Sequence, residues 1–79
     1  MRQLKLIWDF RGPDGKKIAE HHVVHLKEYI AAENLEIDIT GIEPINDLHT
    51  QAYMVVVESE MPKVRGALKP HRGQVYNLS

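Results

Sequence analysis

The chain has 79 residues, which is the length of one small domain (residues 1–79), and it lacks cysteine, so disulfides and thiolate metal sites are excluded. Ten Lys and Arg against eleven Asp and Glu give a formal charge of −1 without a basic stripe, so nucleic acid is a poor candidate partner. No apolar run approaches the roughly 20 residues that cross a bilayer, and charges near the N-terminus argue against a signal peptide. We therefore expect a cytoplasmic protein without a membrane partner.

The first half of the chain predicts a strand, a long helix and a second strand. Residues 4–10 alternate between apolar and polar side chains, as a half-buried strand does. Residues 14–34 carry an apolar stripe with helical spacing, and Asn34 suits the helix end because Asn tolerates the left-handed conformation. The stripe consists of Ile18, Ala19, Val23, Leu26, Tyr29 and Ile30. Residues 35–40 alternate again and predict the second strand, and residues 41–48 are predicted to be a connection.

The second half predicts two more strands around a short helix. Residues 49–58 are apolar on both sides, which indicates a strand that is covered on both faces. Ser59 is the predicted N-cap of a helix that ends at Lys69 and Pro70. Residues 74–78 are predicted to form the last strand. The order βαββαβ is typical of ferredoxin-like α+β folds.

This order predicts a four-stranded antiparallel sheet with strands arranged 4-1-3-2 and two helices on one face. The other face would then carry Ile7 and one side of residues 52–57. Exposed apolar patches of that kind usually mark an interface. We therefore expect a homodimer through the sheet faces, and the alternative is a monomer that exposes this apolar face.

Three stretches of the sequence carry a resemblance to a known group of proteins. They are EHHVVHLKEY at residues 20–29, VVESE at residues 56–60, and ALKP at residues 67–70 followed by Gly73. Through them the chain resembles the dimeric α+β barrel proteins, and most of all their YCII-related branch. The resemblance implies a homodimer with a small-molecule pocket between helix and sheet. The wider group includes monooxygenases, isomerases, haem-degrading enzymes and many members with no assigned role, so the resemblance leaves open whether this chain catalyses a reaction.

The histidines of the first helix are the main candidates for chemistry. Helical spacing places His22 toward the core, His25 at its margin and His21 outward. Histidine has an unperturbed pKa of about 6.5, so His22 and His25 are candidate catalytic residues for proton transfer or ligand binding. One alternative is a non-enzymatic dimerisation or regulatory module with structural histidines. The other is a metal or haem site that uses His25 with His21 or with His22, for which His49 and His71 are the candidate third ligands. Two helical histidines alone are a weak signal, so we predict no cofactor and no metal.

Four further residues are candidate ligand-binding residues. Trp8 belongs to the core-facing side of the first strand and Tyr29 to the helix stripe, so both would border a pocket between them. His71 and Arg72 lie beside a glycine, where their N–H groups could bind an anion. We therefore expect a homodimeric protein with a small-molecule ligand that histidine helps to bind or to protonate.

Overall fold

The computed structural model describes residues 2–76, and its elements follow the predicted order. These elements are β1 (Gln3–Arg11), α1 (Gly15–Glu33), β2 (Ile39–Asn46), β3 (His49–Val57), a 3₁₀ turn (Glu58–Glu60), α2 (Met61–Leu68) and β4 (Arg72–Tyr76). The strands lie in the order β2-β3-β1-β4, and each neighbouring pair is antiparallel. This topology confirms the ferredoxin-like α+β fold. The last strand was predicted to reach residue 78, and residues 77 and 78 lie outside the described residues.

The core lies between the two helices and one face of the sheet. Alternation along β1 and β3 places every second side chain on this face, because successive side chains of a strand point to opposite sides. The buried core cluster consists of Leu6, Trp8, Ala19, Leu26, Ile30, Ala52, Met54, Val56 and Val64. Trp8 also donates its indole N–H to the carbonyl oxygen of Leu68 at 2.9 Å. This bond fixes the end of α2 against β1.

Helix α1 has the predicted length, but one member of its predicted stripe is exposed. Ile18 retains 48% of its surface in contact with solvent. At about 100° per residue it lies roughly 70° from the centre of the stripe, so it falls at the edge of the core-facing arc. The helix ends as predicted at Asn34, which has a φ of 52°.

The second strand lies later in the chain than predicted. Residues 35–38 form a connection, and β2 covers Ile39–Asn46, most of which was predicted to be a loop. Because β2 is an edge strand that pairs only with β3, Pro44 interrupts no central ladder. A bulge separates Pro44 from Asn46. The Asn46 side chain then accepts the backbone N–H of Leu48 at 2.8 Å, which closes a tight turn into β3.

Helix α2 begins after the predicted N-cap residue, Ser59. A 3₁₀ turn occupies Glu58–Glu60, and the helix starts at Met61 with proline in its first turn. Proline suits the first turn because backbone N–H groups there have no hydrogen-bond partner within the helix, so the N–H that proline lacks is not missed. The helix ends as predicted at Lys69, whose φ is 49°. Neither described helix is both long and apolar enough to cross a membrane.

The open face of the sheet is the side away from the helices. Its apolar side chains are already shielded from solvent within the single chain. Those side chains are Ile7, Val55 and Val57, which are 3%, 0% and 5% exposed in the single chain. In the β1–β3 register, Tyr53 lies opposite Ile7 and Lys5 opposite Val55. The Lys5 ammonium group sits 4.5 Å from the centre of the Tyr53 ring. The single chain thus covers the side chains that led us to expect a second copy, and the homodimer stays a prediction.

Candidate functional site

A cleft of about 470 Å³ lies between α2 and the β1–β4 edge of the sheet. Its lining combines apolar and basic side chains. The apolar part is formed by Leu4, Leu6, Met61, Pro70 and Val75. The basic part is formed by Arg2, Arg65 and His71. Arg72 also borders the cleft, but its side chain lies with that of Ile7 on the open face of the sheet. None of the described residues that line it belongs to α1, so this cleft is separate from the predicted pocket beneath the first helix.

The charged residues that line the cleft are all cationic, and no Asp or Glu of residues 2–76 is among them. Arg2 forms an ion pair with Glu58. Arg72 is paired with Asp9 on the other side of the sheet edge. Arg65 forms no ion pair with any carboxylate of the described residues. Among the described residues, Arg65 is therefore the cleft arginine whose charge no carboxylate neutralises, and it is available to an anion.

Gly73 keeps the inner wall of the cleft open. It pairs with Leu6 in the β1–β4 register, so its missing side chain would point toward the helices. A Cβ atom at this position would lie 3.4 Å from Cδ2 of Leu6. A long side chain at residue 73 would therefore extend into the cleft.

A polar cluster centred on Asp9 lies on the open face of the sheet, beside the cleft. Arg72 donates from Nη2 to Oδ1 at 2.8 Å and from Nε to Oδ2 at 3.1 Å. His49 Nε2 donates to Oδ1 at 2.7 Å, and Gln51 Nε2 donates to the same oxygen at 3.3 Å. The cluster therefore joins β1 to both of its neighbouring strands.

Asp9 is ionised at neutral pH. Burial raises the pKa of its carboxyl group, but the hydrogen bonds from His49 and Arg72 outweigh burial and bring the pKa below its ordinary value of 3.8. The alternation of β1 had placed Asp9 on the side away from the core, but nothing in the sequence paired it with His49 or Arg72. Its cross-strand neighbours follow from strand register, which sequence alone does not specify.

His71 connects this cluster to the cleft. Its backbone N–H donates to the carbonyl oxygen of Ile7 at 2.9 Å, which continues the β1–β4 ladder. Its ring Nδ1 accepts the backbone N–H of Asp9 at 2.9 Å. The structure thus brings two predicted ligand-binding residues, His71 and Arg72, into the lining of one cleft and anchors both on Asp9.

His22 lies between α1 and the sheet, as its helical position predicts. Its ring centre is 4.8 Å from that of Trp8 and 5.3 Å from that of Phe10. Nε2 is buried and has no hydrogen-bond partner among residues 2–76. Burial lowers the pKa of His22 below 6.5, with smaller contributions from His25 and His71. His22 is therefore neutral in the folded protein at neutral pH.

The remaining candidate residues do not line the cleft. The His25 side chain is 71% exposed and lies 3.2 Å from a carboxylate oxygen of Glu28. Trp8 belongs to the core cluster, and Tyr29 packs against that cluster while partly buried. Within the described part of the chain, no group of three or more His, Asp or Glu side chains is arranged to hold a metal ion. The catalytic and ligand-binding roles of these residues stay predictions.

The neutral state of half-buried His22 predicts that the free energy of unfolding depends on pH. The unfolded chain takes up a proton at this residue near pH 6.5, whereas the folded protein does so only at lower pH. The free energy of unfolding should therefore be highest above pH 6.5 and fall as the pH drops through the lowered pKa. In His22→Leu this part of the decrease should be absent. Urea unfolding between about pH 7.5 and about pH 5 measures both slopes.

His21→Leu is the matched control, because His21 is exposed on the same turn of α1. It should keep the pH slope of the original chain. A His22→Leu protein that keeps this slope as well would show that burial of the neutral ring does not cause it.

Comparison with family models, with curated proteins and with solved structures gives no match for this chain. The ferredoxin-like assignment therefore rests on the topology described above. The dimeric α+β barrel relationship and its YCII-related branch stay predictions from the sequence.

Proposed function

We propose that this protein binds a small organic anion in the cleft between α2 and β4. One observation carries the proposal: a single cleft of about 470 Å³ combines an apolar wall with charged residues that, among residues 2–76, are all cationic. Small-molecule sites in proteins have volumes of a few hundred Å³ and are mostly apolar, with a few polar groups that orient the ligand. This cleft has both properties.

The two parts of the lining predict the two parts of the ligand. Arg65 has no carboxylate partner among residues 2–76, and a guanidinium group binds carboxylates through two parallel hydrogen bonds. Leu4, Met61 and Val75 offer an apolar surface to the rest of the molecule. The ligand class is therefore a carboxylate with a small aliphatic or aromatic body.

Titration of the ¹⁵N-labelled protein with phenylacetate, followed by NMR, tests this proposal. Phenylacetate should shift the amide signals of Arg65, Gly73 and Val75 in a saturable manner. Phenylacetamide has the same body without the charge and should bind much more weakly. Arg65→Gln should weaken phenylacetate binding, because it removes the only cleft arginine without an ion pair among the described residues.

A pair of glycine variants separates filling of the cleft from general effects. Gly73→Leu should abolish binding, because the new side chain extends toward Leu6 within the cleft. Gly66→Leu is the matched control, since a Cβ atom there meets no atom within 4 Å and Gly66 does not line the cleft. Equal binding by both variants, or no saturable shift in the original chain, would refute the site. Sedimentation of the same samples reports whether the chain binds as one copy or as a homodimer.

A second candidate function is proton transfer by His22, which the sequence predicted. The supporting observation is its buried Nε2 atom, which has no hydrogen-bond partner among residues 2–76, because the free nitrogen of a neutral imidazole is available as a base. A ligand for this function has to enter between α1 and the sheet. The same titration distinguishes the two candidates, because it would then shift the signals of His22 and Phe10 rather than those of Gly73 and Val75.

A further inference from the structure

We infer that His71 determines the ligand specificity of the cleft by presenting a fixed Nε2–H donor to an oxygen of the bound anion. This inference rests on the proposed function and specifies the contact that orients the ligand. It assigns to His71 a role distinct from that of Arg65, which supplies charge. Three features of His71 suit it to this role: its tautomer, its fixed position on β1, and an Nε2 atom without a protein partner among residues 2–76.

The tautomer follows from the bond to Asp9. A backbone N–H can only donate, so the ring nitrogen that receives it must carry a lone pair. This nitrogen is Nδ1, at 2.9 Å from the backbone nitrogen of Asp9. In a neutral imidazole with a free lone pair at Nδ1, the proton resides on Nε2. His71 in this structure is therefore the Nε2–H tautomer.

The orientation is fixed at two points on β1. The main chain of His71 donates to the carbonyl oxygen of Ile7, and its ring accepts from the main chain of Asp9, both at 2.9 Å. Nδ1 is occupied by Asp9 and His71 borders the cleft, so Nε2 is the ring nitrogen that remains for a ligand. No protein group of residues 2–76 accepts its proton. A donor that is held in place before binding loses little conformational freedom when the ligand arrives.

The position of this donor restricts the ligand chemistry. A group that only donates requires an acceptor oxygen in the ligand, and it disfavours an amide N–H or an ammonium group at the same place. Together with Arg65 on the opposite wall, it fits an ionised carboxylate whose two oxygens are bound from two sides. A neutral ester offers an acceptor as well, but it lacks the charge that Arg65 requires.

Two substitutions at His71 distinguish its bond to the backbone of Asp9 from its contact with the ligand. In His71→Asn the amide group can replace Nδ1 as acceptor for Asp9 but cannot reach the place of Nε2. In His71→Gln the longer amide group can reach that place as a donor. We expect His71→Asn to weaken phenylacetate binding about 10-fold, as the loss of one hydrogen bond predicts, and His71→Gln to weaken it less. Urea unfolding of both variants shows whether either loses the fold.

Long-range ¹H–¹⁵N correlation spectra report the chemical shifts of the two ring nitrogens of His71. If His71 had only a structural role, phenylacetate would not change these shifts. The free protein should show the Nε2–H tautomer, and phenylacetate should shift the Nε2 resonance more than that of Nδ1. A Nδ1–H tautomer in the folded protein would overturn the inference. The inference would also be wrong if His71→Asn bound phenylacetate as tightly as the original chain while Arg65→Gln bound it more weakly. That result would leave the proposed function intact. If phenylacetate fails to bind the original chain, the proposed function itself is wrong.

Discussion

Replacement of Trp8 by Ala is expected to leave much of the protein unfolded at 25 °C. The side chain is 3% exposed, lies in central strand β1 and belongs to the buried cluster between helices and sheet. Truncation of a buried aromatic residue to Ala costs about 3–5 kcal/mol. The core of a domain of this length rarely supplies more than about 3–5 kcal/mol of net stability. Circular dichroism and urea unfolding measure the loss directly.

Trp8→Phe is the informative control for this prediction. It keeps most of the apolar volume but removes the indole N–H that donates to Leu68 at 2.9 Å. The carbonyl group of Leu68 then lacks this partner, which costs about 1–3 kcal/mol. Amide exchange should become faster at the end of α2 and change less in α1. A Trp8→Ala protein with the original unfolding midpoint would contradict the importance of this residue for the core.

Replacement of Asp9 by Asn is expected to destabilise the protein by about 2 kcal/mol at neutral pH, because two or more charge-assisted hydrogen bonds are weakened together. The Arg72 side chain is 52% exposed, so solvent screening reduces its share of this effect. The Asn side chain retains one acceptor oxygen, but its NH₂ group replaces an oxygen that accepts hydrogen bonds. Urea unfolding at about pH 7 gives the difference between the two proteins.

The difference in the free energy of unfolding between Asp9→Asn and the original chain should depend on pH. The pKa of Asp9 is lowered in the folded state, so its contribution is fully present above the unfolded value of 3.8 and is lost as the pH falls through the folded value. The stabilities of Asp9→Asn and the original chain should therefore approach each other at low pH. Asp38→Asn, at an exposed position, is the control and should change stability by less than about 0.5 kcal/mol. A difference that is the same at acid and neutral pH would exclude the carboxylate charge as its cause.

The order and type of the elements could be predicted from this sequence because each carries a local signal. The alternation of β1, the helical stripe of α1 and the left-handed residues Asn34 and Lys69 all depend on near neighbours in the chain. The second strand was misplaced because Gly41 and Pro44 are typical of loops. Pro44 is tolerated in β2 only because β2 lies at the sheet edge, and edge position is a property of the whole topology.

The candidate site was predictable only where its residues are adjacent in sequence. His71 and Arg72 could be proposed as an anion-binding pair because they precede a glycine, and both line the cleft. Arg65 was not identified, because its place opposite β4 depends on how α2 packs. Asp9 and His49 meet across 40 positions of sequence, and strand register alone brings them together.

The bond between Trp8 and Leu68 joins residues 60 positions apart, and the pair formed by Asp9 and Arg72 spans 63 positions. Contacts of such separation slow folding, since a long loop must close before they form. During synthesis on the ribosome, β1 emerges long before β4, the strand that pairs with its second edge. Residues of β4 form one wall of the cleft, so a nascent chain has no such cleft until this strand has been synthesised and has paired with β1.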